Sequence, residues 1–218
     1  VEEELAELLP DARILRMDQD STARKDAHET MLAQFARQEY DILLGTQMVA
    51  KGLDFERVTL VGVLGIDSLL FGQGFRAYES VFSLITQVVG RGGRAELPGR
   101  ALIQTMVPEH EVLRLAARQD YDGFYALEIR LRQLQHLPPF GDLASVTFSG
   151  EEEAAVLRCA VRFRTRLEVL LGPEAARFTL LGPAPCPVPK INYRFRYRLS
   201  LRGTMDRPMR RLLGQALR

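Results

Sequence analysis

Cysteine and histidine are scarce in this 218-residue chain, with two and three copies. Cys159 and Cys186 form neither a CxxC pair nor a disulfide framework, and His28, His110 and His136 lack ligand spacing, so no metal centre is expected. No run approaches the roughly eighteen apolar residues that a bilayer span requires. The opening residues, VEEELAEL, are acidic where a signal peptide is basic, so the expected location is cytoplasmic, without a membrane partner. GxxxxGK[ST] is missing too, and with it the Walker A cradle for nucleotide phosphates. Neither an internal repeat nor a low-complexity segment breaks the sequence.

What is present is the composition of an ordinary globular protein: 46% of residues are hydrophobic and 26% charged. The length suffices for two modest domains with sizeable cores. Net charge is only +1, yet residues 1–40 carry ten acids against five bases, whereas residues 190–218 carry nine Lys or Arg against Asp206 alone. The C-terminal end is therefore a candidate anion-binding face.

EEELAELL has helical apolar spacing, ARILRM suits a buried strand, and DQDST offers helix caps before the amphipathic KDAHETMLAQFARQ. DILLGT and VTLVGVLGI read as strands, a helix is predicted from about Ala77 to Val89, and RALIQT follows as a strand. Helices alternating with short apolar strands predict a parallel sheet with right-handed crossovers, whose carboxyl-end loops are the usual binding edge. After Thr105 the pattern changes. PEHEVLRLAARQDYDGFYALEIRLRQLQHL is helical with a break near Asp120 to Gly123, and PPFG ends it. The strand LASVTFSG, a helix ended by Gly172, the strands RFTLLG and YRFRYRLSLRG, and the helix MDRPMRRLLGQAL give the ferredoxin-like order short of its last strand.

Two loops carry groups suited to phosphate. In GTQMVAKGLDF, after the strand DILLGT, glycines permit close backbone approach, and Thr46, Gln47 and Lys51 can donate hydrogen bonds. Taken alone, the same residues also suit an ordinary strand-to-helix turn. In QVVGRGGRAELPG, Arg91 and Arg94 present permanently charged planar forks, and glycines at 90, 92 and 93 let the backbone bend so that both converge on a phosphate. A solvated basic turn is the plainer alternative.

The wording of these stretches resembles a known family. ILLGTQMVAKGLDF and LITQVVGRGGRAELPGRALIQT are similar to motifs V and VI of superfamily 2 helicases. RMDQDST, FRAYES, PEHEVL, LPPFGDLASV and LLGPAPCPVPKINYRFRYRLSL, in that order, resemble the PriA family of primosomal replication-restart helicases. The resemblance implies an α/β fold class: a RecA-like parallel-sheet helicase lobe at 1–107, a helical connector at 108–141, and a smaller, truncated α+β ferredoxin-like C-terminal domain at 142–218. It also implies that Arg91 and Arg94 reach toward the γ-phosphate of ATP held by another lobe, with Gly52, Asp54, Gln87 and Gly90 near the nucleotide. Thr46, Gln47 and Lys51 fall near the DNA backbone. ATP and Mg2+ would belong to the full-length protein, and zinc only to upstream segments; without a P-loop, this chain alone is expected to be inactive.

In PKINYRFRYRLSLRG, Arg194, Arg196 and Arg198 alternate with Phe195 and Tyr197, so on a strand the arginines share one face and the rings the other. With Lys190, this pattern suits single-stranded DNA through phosphate neutralisation and base stacking, or the acidic tail of a single-stranded-DNA-binding protein. The alternative puts the rings in the core and the arginines in solvent. The resemblance implies an ATP-dependent 3′–5′ DNA helicase that restarts replication at stalled forks, acting on forked and single-stranded DNA with other primosome and replicative-helicase-loading proteins. Departures from the family pattern at Gly65, Gly74 and Ser80 motivate a second expectation, a relative that has lost its motor and serves as a fork-binding scaffold.

Overall fold

The computed structural model describes residues 1–17, 27–46, 57–72, 74–90 and 99–217. Two compact units divide the chain, Val1–Phe124 and Tyr125–Arg218.

In the first unit, helix α1 (Glu2–Leu8) places Glu2, Glu3 and Glu4 in its first turn, where the positive end of the helix dipole favours acids. Strands β1 (Ile14–Met17) and β2 (Ile42–Gly45) pair in parallel around helix α2 (Ala27–Ala36), with Ile14 opposite Ile42. Leu15 and Met17 are buried from this pair. Arg13 grips Asp41 through Nε and Nη2, both at 2.9 Å, and fixes where the two strands begin.

Strands β3 (Leu60–Val63) and β4 (Arg100–Ile103) form a second parallel pair. The apolar run after β3 does not stay extended as its composition suggests. Gly65 turns the chain at φ +66°, a left-handed conformation that side-chain-bearing residues other than Asn and Asp seldom adopt, and helix α3 (Ile66–Leu70) begins at once. Helix α4 (Ala77–Val89) buries Val81, Phe82, Ile85 and Val88 on one stripe. It packs against α5 (Glu111–Ala117), which buries Val112, Leu113, Leu115 and Ala116, while Phe82 stacks on Phe124 with ring centroids 4.2 Å apart. The break before helix α6 (Tyr121–Leu134) falls earlier than expected. Gln119 has φ +56°, and Asp120 accepts the Gly123 N–H at 2.9 Å as a cap, so Gly123 lies inside the helix.

In the second unit, Arg132 Nε donates to Glu128 at 2.8 Å, both side chains being buried, and its Nη1 donates to the Pro138 carbonyl at 3.1 Å. That guanidinium holds the turn that ends α6. Strands β5 (Asp142–Gly150), β6 (Thr179–Ile191) and β7 (Arg194–Gly203) form an antiparallel sheet in the order β5-β7-β6. Helix α7 (Glu153–Leu171) and helix α8 (Arg207–Ala216) contribute Phe163, Leu167, Leu171 and Met209 to a core shared with Leu199 and Leu201 of β7. The expected succession of strand, helix, two strands and helix is observed. Beyond Leu181, β6 runs further than its sequence suggests, through Pro183, Pro185, Pro187 and Pro189; an outer strand tolerates residues that cannot donate to a ladder.

Candidate nucleotide and nucleic-acid sites

Gln47, Lys51, Gly52, Asp54, Arg91 and Arg94 lie outside the described residues. What is described is the frame that carries their loops. Thr46 is exposed immediately after β2, at the carboxyl end of that strand, where binding loops gather in parallel sheets. Gln87 sits in the last turns of α4 and its Nε2 donates to Ser83 Oγ at 3.0 Å. Gly90 caps α4 in an ordinary right-handed conformation, φ −64° and ψ −14°. An added Cβ there would stand 3.1 Å from the Thr86 carbonyl, a tight approach.

At the carboxyl ends of β3 and β4, Asp67 joins two loops. One oxygen accepts the Thr105 hydroxyl at 2.5 Å and the other the Met106 N–H at 2.9 Å. Gln104 Oε1 accepts the Gly65 N–H at 3.3 Å and reinforces the link. Among the described residues no group of three or more His, Cys, Asp or Glu is placed to hold a metal ion, and no helix is long and apolar enough to cross a membrane.

The C-terminal strand separates the residues that its sequence interleaves. Phe195 and Tyr197 turn to the side of α7: Lys190 Nζ lies 4.4 Å from the centre of the Phe195 ring, and Tyr197 donates its hydroxyl to Glu153 Oε1 at 2.9 Å. That bond holds the phenolic proton and raises the tyrosine pKa above its ordinary 10.0. Both rings thus lie on the helix side of β7, apart from the arginines. Lys190, drawn over Phe195, is thereby parted from the arginine row. Arg194 is tied at the rim, its Nη2 3.4 Å from the Ser149 carbonyl and its Nη1 3.9 Å from Glu151. Arg196 remains on the opposite face, with Arg198 and Arg202 two and six residues on. Arg202 was not among the residues singled out from the sequence, although the two-residue alternation that groups the other arginines includes it.

Residues 2–96 match the family described as helicase conserved C-terminal domain, and residues 133–218 match the primosomal protein N C-terminal domain. The chain is similar along all its length to proteins named replication restart protein PriA. It is 44% identical over 217 residues to that of Bacillus subtilis, 42% to that of Chlamydia pneumoniae and 34% over 218 residues to that of Haemophilus influenzae. Both family matches and the similarity along the whole chain support a PriA C-terminal fragment. It spans 27% of the length of the Bacillus relative and 29% of each of the other two. The PriA resemblance thus covers both units, the helicase-type match falling in the first and the primosomal match in the second.

Proposed function

We propose that this chain supplies the second motor lobe (1–107), helical connector (108–141) and C-terminal domain (142–218) of a PriA-type protein that restarts replication at stalled forks as an ATP-dependent 3′–5′ DNA helicase. The observation that carries this reading is the unbroken similarity to replication restart proteins across both units. In it, Arg91 and Arg94 stabilise charge on the transferred γ-phosphoryl of ATP, whose Mg2+ and β-phosphate contacts come from elsewhere in the full-length protein. Gly52, Asp54 and Gln87 face the nucleotide, and Thr46, Gln47 and Lys51 the DNA backbone, so that one lobe senses both ligands. Its partners are forked and single-stranded DNA, single-stranded-DNA-binding protein and the loaders of the replicative helicase. Zinc belongs to upstream segments, and the cytoplasm is where such a protein works.

Gly74 has a conformational reason to be glycine, at φ +137°, whereas the φ of +66° at Gly65 is one that aspartate also adopts. The departure at Gly65 therefore keeps a motor-less scaffold as the second reading. The test uses the full-length protein. Arg91→Ala or Arg94→Ala lowers DNA-stimulated ATP hydrolysis by roughly 10³-fold or more while fork binding persists. Undiminished hydrolysis refutes the assignment.

A further inference from the structure

Helix α7 carries apolar residues on two sides. One side, with Phe163, Leu167 and Leu171, closes the C-terminal core. The other is turned to solvent. Leu157, Val161 and Val169 are 37%, 47% and 75% exposed and fall on one line of four-residue steps, in which Thr165 fills the remaining place. Val161 and Val169 sit about 120° and 160° around the helix from Leu167, so they do not belong to the core stripe. Single exposed apolar side chains are ordinary, but an aligned series on one helix marks a contact surface.

Arg158, Arg162 and Arg166 are exposed and repeat the same step one residue on, so an apolar ridge and a basic ridge run side by side. The basic ridge keeps its charge. Arg162 and Arg166 have no ion pair among the described residues, and Arg158 meets Glu152 at 3.3 Å only as an exposed pair, the kind that contributes little. The nearby Glu168 is held instead by Arg164 at 2.9 Å. Ridges of four-residue step leave a groove between them that accepts the matching ridge of a second helix. Charge and apolarity then specify that helix: carboxylates toward the arginines, an apolar stripe toward the valines. We propose that this face of α7 docks an acidic amphipathic helix of a partner protein, its stripe on Leu157, Val161 and Val169 and its carboxylates on Arg158, Arg162 and Arg166. The inference goes beyond the motor reading and does not depend on it.

The experiment titrates a labelled synthetic peptide of about eighteen residues, with leucines at helical i, i+3, i+4 and i+7 spacing and glutamates beside them, with the full-length protein by fluorescence anisotropy. Neither nucleotide nor DNA is present. Affinity should fall as salt is added, and a peptide of equal composition with its leucines scrambled should bind about tenfold more weakly. Val161→Glu/Val169→Glu and Arg162→Glu/Arg166→Glu should each weaken binding by about tenfold or more, with thermal unfolding unchanged because all four side chains are exposed. If either pair unfolds, Val161→Ser and Arg162→Gln should each weaken binding by about threefold. Absence of binding overturns the proposal and leaves the face to another domain of the full-length protein. Equal binding of the scrambled peptide, or indifference to the valine substitutions, overturns it as well. So does displacement of the peptide by oligo-dT, or self-association of the protein that the valine pair abolishes, which would give the face to nucleic acid or to a second copy. Because ATP is omitted, each result is independent of the Arg91 and Arg94 hydrolysis test.

Discussion

Asp67 shows how one carboxylate can fix two loops at once, by accepting from Thr105 and Met106 at the end of β4 while it sits at the start of α3. Asp67→Ala leaves the Met106 N–H without its anionic acceptor and should cost about 1–3 kcal/mol in urea unfolding. The Arg13–Asp41 fork makes a prediction in pH. Hydrogen bonds from Arg13 pull the Asp41 carboxyl from its ordinary 3.8 down to about 2, so the folded state favours the ionised form. The stabilisation is fully present above about pH 4 and is lost as pH falls toward 2. An NMR titration should give Asp41 a midpoint near 2, and Asp41→Asn should remove this part of the acid sensitivity between those limits. At Glu128, removal of the carboxylate strands a buried guanidinium; Glu128→Ala should destabilise by about 3–5 kcal/mol in the same assay.

Among the elements, those with strong periodicity were legible in advance. Helix α4 begins at Ala77 and ends at Val89 as its apolar stripe predicts, and the β5–α7–β6–β7–α8 succession follows from alternation, spacing and turn residues. The strand after Val63 was over-extended because an apolar run alone does not tell strand from helix, whereas the left-handed turn at Gly65 decides it. Prolines concealed the length of β6. On β7, alternation separated rings from arginines, but only the placement of α7 determines which face is covered. For residues 47–56 and 91–98, the sequence supplied motif resemblance and residue types, and these positions lie outside the described residues. Helix α8 offers a separate check. Asp206 accepts the Met209 N–H at 2.9 Å as an N-cap, and Asp206→Ala should lower stability by about 1 kcal/mol by thermal unfolding.

Each half of the chain has its own core, one built on Val81, Ile85 and Val112, the other on Leu167, Leu199 and Met209. Leu167 is fully buried, so Leu167→Ala should cost about 2–5 kcal/mol. Hydrogen exchange should then show lost protection in α7 and β7, with α4 and α5 unchanged. The prolines of β6 also bear on how copies of the protein coexist at high concentration. Four prolines among its thirteen residues leave this outer strand with fewer amide donors to offer another backbone, so the C-terminal sheets of neighbouring copies are discouraged from zipping into larger aggregates along that rim.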